Sequence, residues 1–160
     1  MIKALFLDRD GTLIVDKHYQ KDAHAITYLP HIFEALALFK KNDYELFIVT
    51  NQSGIARGLL NLHDVNLIHQ KMNADLLSHS IPPFADIALC PHAPDDHCLC
   101  RKPSPKMILD LAQKWDVDLS QSFMVGDKES DIEAGKNAGT KTFLITKTDS
   151  LYTLACDLFK

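Results

Sequence analysis

The chain has 160 residues, 46% of them hydrophobic and 24% charged, with a formal net charge of −4. That length and balance predict a soluble globular protein with a single domain over residues 1–160, large enough to bury a core without staples. The acidic balance excludes a general nucleic-acid binder, which would need a basic stripe, and no apolar run is long enough to span a bilayer. The first residues enter an apolar run with no signal-peptide pattern, so the expectation is a cytoplasmic protein, acting as a monomer. Three of the four cysteines fall within eleven residues, beside a histidine, which favours metal over disulfide and a reducing compartment.

Ile2-Lys3-Ala4-Leu5-Phe6-Leu7, closed by Asp8-Arg9-Asp10-Gly11-Thr12, reads as a buried strand and a sharp turn. Asp16 to Thr27 has no clear period. A helix is predicted from Pro30, with Phe33, Leu36, Ala37 and Phe39 on its apolar face. Tyr44 to Val49 reads as a second strand ending at Thr50. Asn61 can cap a second helix, with Asp64 in its first turn and Val65, Ile68, Met72 and Leu76 on one face. Asp86 to Leu89 predicts a third strand running into the cysteines. Ser104-Pro105 predicts a cap and a first-turn proline for a helix carried by Met107, Ile108, Leu111 and Trp115. Phe123 to Val125 predicts a fourth strand, a short helix then closes at Gly139, and Thr142 to Ile145 predicts a fifth strand. Cys156 reads as a small buried residue. The alternation predicts an α/β fold, a Rossmann-like parallel sheet with helices on both faces.

Ligands of such sheets bind beyond the carboxyl ends of the strands. Asp8, Thr50, Cys90 and Asp127 each fall at such an end. In order along the chain, Asp8-Arg9-Asp10-Gly11-Thr12, Thr50-Asn51-Gln52-Ser53-Gly54, Arg101-Lys102-Pro103 and Gly126-Asp127-Lys128-Glu129-Ser130-Asp131 resemble the four motifs of the haloacid-dehalogenase-like phosphatases. The resemblance implies that Asp8 is the nucleophile, forming an aspartyl-phosphate, and that Asp10 protonates the leaving oxygen and later activates water. Two carboxylates two residues apart suit that division of labour. Thr50 would offer its hydroxyl to phosphate, although a lone Thr at a strand end commonly bonds its own turn. Lys102 would neutralise the phosphoryl group in flight, a mostly electrostatic task. Magnesium would be held by Asp8, a main-chain carbonyl of Asp10, and Asp127. Asp131 is open between direct metal contact and a first-turn carboxylate favoured by the helix dipole.

Cys90, His92, Cys98 and Cys100 form two close pairs joined by a prolyl loop, residues 90–100. Three thiolates and an imidazole suit a closed, structural zinc site. His97 could replace His92, but it sits where the loop must turn. Arg101 and Lys102 follow at once, so zinc is expected to pin the loop that carries two cations.

Neither gap between the motifs is long enough for an inserted cap domain, so the core is expected to be capless. The sequence ends at Lys160, about where the family's last strand would end, so the resemblance implies that a terminal helix is missing and one sheet face is less covered. The zinc loop and Asn51-Gln52-Ser53-Gly54-Ile55-Ala56-Arg57-Gly58 resemble the heptose bisphosphate phosphatase branch and its sister, the histidinol-phosphate phosphatases. A second phosphate wants cations, and Ser53 and Arg57 favour the heptose branch, as does Asp16-Lys17-His18-Tyr19. The short spacing from His92 to Cys98 is closer to the histidinol branch. On the heptose reading the partner is a small sugar phosphate, with Asp16, Tyr19, Asn51, Gln52, Ser53, Arg57, Arg101 and Lys128 as its contacts. A DNA 3′-phosphatase shares the first two motifs but would lack the zinc cysteines and show a basic groove.

Overall fold

In the computed structural model, strands β1 (Lys3–Leu7), β2 (Tyr44–Asn51), β3 (Asp86–Cys90), β4 (Phe123–Gly126) and β5 (Lys141–Leu144) form one parallel sheet. Its order is β3-β2-β1-β4-β5. Helices α1 (Ile32–Lys41), α2 (Leu62–Ser78), α3 (Lys106–Trp115), α4 (Glu129–Ala138) and α5 (Leu151–Phe159) cover it. The central strand alternates between two cores, because successive side chains of a strand point to opposite faces. Leu5 and Leu7 join Leu46, Ile48 and Val125 against Leu36, Phe39, Ile68 and Leu151. Ala4 and Phe6 join Phe47, Val49 and Met124 against Ile108, Leu111 and Ala134. Burial on both faces explains the continuous apolar run of β1. Each fully buried leucine contributes about 1.5–3 kcal/mol relative to exposure.

The second helix forms as its sequence predicts. Asn61 accepts from the Asp64 N–H at 2.9 Å and Asp64 returns the bond to the Asn61 N–H at 2.9 Å, closing a capping box. Val65, Ile68, Met72 and Leu76 are all buried. Gly139 ends α4 at φ +95°, the left-handed conformation that suits glycine.

Several expectations are corrected. Helix α1 begins at Ile32 with His31 at its N-cap, so Pro30 precedes the helix instead of lying in its first turn. The buried positions of α1 are Ile32, Ala35, Leu36 and Phe39, while Ala37 is exposed and Phe33 half-buried. The helix turns the 32, 35, 36, 39 stripe inward, and a small alanine at 37 does not compete with it. In α3, Pro105 occupies the N-cap position instead of the first turn, and the Ser104 hydroxyl donates to Leu99 O at 2.7 Å. Trp115 is 38% exposed, its indole N–H bonded to Asp86 at 3.0 Å.

The largest correction concerns the end of the chain. Residues after β5 do form a terminal helix, α5, begun by a Ser150–Thr153 capping box. Leu151, Leu154 and Ala155 are buried, and the Phe159 ring meets Phe39 edge-on with centroids 5.1 Å apart. These positions make one helical stripe that covers α1 and the sheet face expected to lie open. Cys156 flanks the stripe and is half-buried, not a core residue.

Candidate active site

The sheet order reverses between β1 and β4, which opens a crevice at their carboxyl ends. Asp8 and Asp127 follow those two strands, and the Asp8 N–H bonds Val125 O at 3.0 Å. Carboxylate oxygens of Asp8, Asp127 and Asp131 all lie within 4.8 Å of one another. Gly11, at φ +83°, makes room for this cluster: a Cβ there would stand 2.2 Å from Asp127 Oδ2. Asp131 belongs to the first turn of α4, where it accepts from the Lys128 N–H at 3.1 Å.

Lys102 is buried, and its ammonium has a partner for every proton. Nζ lies 2.8 Å from Asp8 Oδ1, 2.7 Å from Asp131 Oδ1 and 2.8 Å from Val49 O. Burial alone would push the Lys102 ammonium down, but the charges of Asp8 and Asp131 outweigh it and hold the group above its ordinary value. Burial raises Asp8 to about 7, with Asp131 and Asp127 adding to the rise and Lys102 only partly offsetting it. Asn51 fixes the Lys102 backbone from both sides: its Oδ1 accepts the Lys102 N–H at 3.1 Å and its Nδ2 donates to Lys102 O at 3.3 Å.

Asp10 is not part of the three-carboxylate cluster; its side chain is held by Arg9 and Gln52. Oδ2 accepts from Arg9 Nε at 3.1 Å and from Gln52 Nε2 at 3.0 Å, while Oδ1 accepts from Arg9 Nη2 at 3.2 Å. Gln52 Nε2 also donates to Thr50 Oγ1 at 2.8 Å, so the fully buried Thr50 hydroxyl accepts this bond and keeps its own proton to donate.

A cavity of about 190 Å³ opens over these groups. Asp8, Asp10, Lys102 and Asp131 line it, together with Asp16, Tyr19, Asn51, Gln52, Ser53, Arg101 and Lys128. Of the expected substrate contacts only Arg57 is not brought to this wall; it is exposed, its N–H bonded to Ser53 O in the turn that follows. His18, Gly54 and Ser130 complete the lining. Nothing in the periodicity or spacing distinguished them, except that His18 lies inside the Asp16–Tyr19 segment and Gly54 and Ser130 inside two of the motifs.

The chemistry of the carboxylate cluster fits a hard divalent cation. Three carboxylates face one ammonium, and Asp127 Oδ1 is buried without any hydrogen-bond partner. An oxygen-rich, net-negative site with an orphaned acceptor is what magnesium binds. The four expected zinc ligands also converge, their ligand atoms within 4.8 Å of one another. Cys90 and Cys100 sulfurs are 2.9 Å apart, and His92 Nδ1 lies 3.4 Å from Cys90 Sγ and 3.3 Å from Cys100 Sγ. The donor set and its closeness suit tetrahedral zinc. His97 is exposed, in the left-handed conformation after the 94–96 turn, and takes no part in this cluster. The loop is tied to the cavity wall, since Arg101 Nη1 donates to His92 O at 3.3 Å.

The sequence pattern of HAD-hydrolase-like proteins matches residues 99–150. The chain is 41% identical to the D-glycero-beta-D-manno-heptose-1,7-bisphosphate 7-phosphatase of Helicobacter pylori over 99% of its own length and 94% of that protein. It is 40% identical to the enzyme of the same name from Rhodopseudomonas palustris, over 88% of this chain and 81% of that one. The crystal structure of the D,D-heptose 1,7-bisphosphate phosphatase of Bordetella bronchiseptica, complexed with magnesium and phosphate, superposes with a TM-score of 0.89 at 34% identity, covering 98% of each chain. With its motifs gathered on one crevice and relatives this similar along their full length, the chain belongs to the haloacid-dehalogenase-like phosphatases, in the family of the heptose-1,7-bisphosphate 7-phosphatases.

Proposed function

We propose that this protein removes the 7-phosphate of D-glycero-D-manno-heptose 1,7-bisphosphate, with the β anomer the better substrate, in the synthesis of nucleotide-activated heptose. The observation that carries the reading is the placement of Asp8, Asp10 and Lys102 on one cavity wall. The relatives' names supply the substrate.

Asp8 attacks phosphorus, and the bond from phosphorus to the sugar oxygen breaks as Asp10 gives that oxygen a proton. Asp10 then takes a proton from water, which attacks phosphorus, frees Asp8 and yields inorganic phosphate. Lys102 supplies positive charge to Asp8 in the resting site and to the phosphoryl oxygens in transfer. Asp8, the Asp10 carbonyl and Asp127 are the residues that would hold magnesium, and Asp131 keeps Lys102 in place. Magnesium supplies further charge neutralisation at the phosphoryl group.

Cys90, His92, Cys98 and Cys100 would hold zinc as a structural brace for Arg101 and Lys102, and thiolate ligands suit the reducing cytoplasm. Arg101 and Lys128 are the cations on the wall for the second phosphate, with Asp16, Tyr19 and Ser53 facing the sugar.

Phosphate release from the α and β heptose 1,7-bisphosphates and from histidinol phosphate, measured side by side, tests the reading. The expected result is fast release from a heptose bisphosphate with the 1-phosphate retained. A preference for histidinol phosphate would overturn it.

A further inference from the structure

Arg9 heads the largest side chains that are fully enclosed, at 1% exposure, yet it neither lines the cavity nor touches the carboxylate cluster of Asp8, Asp127 and Asp131 through any recorded bond. A guanidinium keeps its charge at any accessible pH, so its burial requires partners. It has two. Nε and Nη2 grip the two oxygens of Asp10 at 3.1 and 3.2 Å, a fork matched to a carboxylate plane. Nη1 points the other way, to His69 Nε2 at 3.3 Å.

His69 lies on the buried face of α2 beside Val65, Ile68 and Met72. A guanidinium only donates, so Nε2 must accept, and the imidazole must be neutral with its proton on Nδ1. Burial and the neighbouring Arg9 charge both favour that neutral form, pushing the imidazole down to about 3. Arg9 is the charge that acts on His69, and Arg9 is itself paired with Asp10; the second cavity that His69 borders is lined by the uncharged Asn66, Gln70, Asn73, Ile87 and Leu89.

Resting on the proposed role of Asp10 as acid and base, we infer that Arg9 and His69 are positioning residues for that carboxylate. His69 holds Nη1, which sets the plane of the guanidinium, and the guanidinium sets the plane of Asp10. Oδ2 is then engaged twice, by Arg9 and Gln52, and Oδ1 only once, which leaves Oδ1 as the oxygen with capacity to carry a proton to the leaving group. The geometry gives α2, a helix that contributes nothing to the cavity wall, a hold on the acid through Arg9.

The test is the dependence of kcat/KM on the leaving group, read on metal-loaded protein. A proton from Asp10 matters for an alkyl or sugar oxygen and hardly at all for a p-nitrophenolate, which leaves unaided. His69→Leu keeps bulk but removes the acceptor. It should lower kcat/KM for the sugar phosphate by about tenfold or more while changing p-nitrophenyl phosphate by less than about threefold. His69→Gln, whose amide oxygen can accept from Nη1, should restore most of the loss. Arg9→Lys, which keeps charge but loses the fork, should repeat the His69→Leu pattern wherever it folds. Equal losses on both substrates, or none on either, would overturn the inference, since a merely structural histidine moves both together. Asp10→Asn is the reference. If it shows no leaving-group dependence, the acid assignment itself fails; if it does and His69→Leu does not, only the present inference fails.

Discussion

Lys102 Nζ stands 2.8 Å from Asp8 Oδ1, with both groups buried. Neither is comfortable alone, because burial penalises each charge, and each stabilises the other. The ion pair therefore favours the ionised form of Asp8 against the burial that raises it, and holds the ammonium beside that carboxylate.

Asp8→Asn should abolish turnover and leave the fold intact, since an amide cannot form the acyl-phosphate and fills the same space. Lys102→Met should lower kcat by at least about a hundredfold, as loss of a charge donor at a transferring phosphoryl group does. It should also leave Asp8 harder to ionise, so residual activity should rise towards higher pH than in the wild type. Steady-state kinetics from pH 5 to 9 on variants with native circular dichroism check both. Wild-type turnover in either would contradict the site.

Purified protein should carry about one zinc per chain on Cys90, His92, Cys98 and Cys100. Strong chelation should first loosen the loop bearing Arg101 and Lys102 and lower activity as a consequence, and magnesium should not restore it. Removal of magnesium alone should stop turnover reversibly without unfolding. Elemental analysis, with thiol titration before and after chelation, decides the matter; freely titrating thiols in active, zinc-free enzyme would refute the brace.

Arg101 lines the cavity and Arg57 does not. Arg101→Ala should raise KM for the heptose bisphosphate far more than for a monophosphate. A charge-assisted contact to phosphate contributes about 1.5–3 kcal/mol, or about one to two decades in affinity. Arg57→Ala should change both substrates little and equally. Selective loss in Arg57→Ala would instead mean that the 55–60 turn closes over bound substrate.

His69 makes stability depend on pH with a definite sign. Its folded value of about 3 lies below the ordinary 6.5 of an unfolded histidine. Between those values the unfolded chain takes up a proton that the fold refuses, so this contribution is complete above pH 6.5 and is lost as pH falls towards 3. The slope is at most about 1.4 kcal/mol per pH unit. Urea unfolding at pH 7.5 and 5.5 should show the wild type losing up to about 1.4 kcal/mol more than His69→Gln. Parallel losses in the two proteins would mean that His69 is protonated in the fold.

Much of this protein was legible in the order of its residues. The five strands, the Asn61–Asp64 cap and the carboxyl-end positions of Asp8, Thr50, Cys90 and Asp127 follow from apolar period and turn chemistry, which act between near neighbours. The cluster of Cys90, His92, Cys98 and Cys100 was legible for the same reason: Cys90 and Cys100 are only ten residues apart. Helix α5 escaped because its stripe is short and polar residues interrupt it; it is stabilised by Phe39, on a helix more than a hundred residues earlier.

What only the tertiary structure decided are the bonds that close over long separations. Asp8 and Lys102 are 94 residues apart, Asn51 and Lys102 are 51 apart, and Arg9 and His69 are 60 apart. No local pattern assigns an arginine after Asp8 to a histidine on the second helix, or an asparagine after Thr50 to the backbone of a lysine. Such partners are selected by the sheet, which brings strand ends and helix faces together and leaves a buried charge no stable place except against a group of matching geometry.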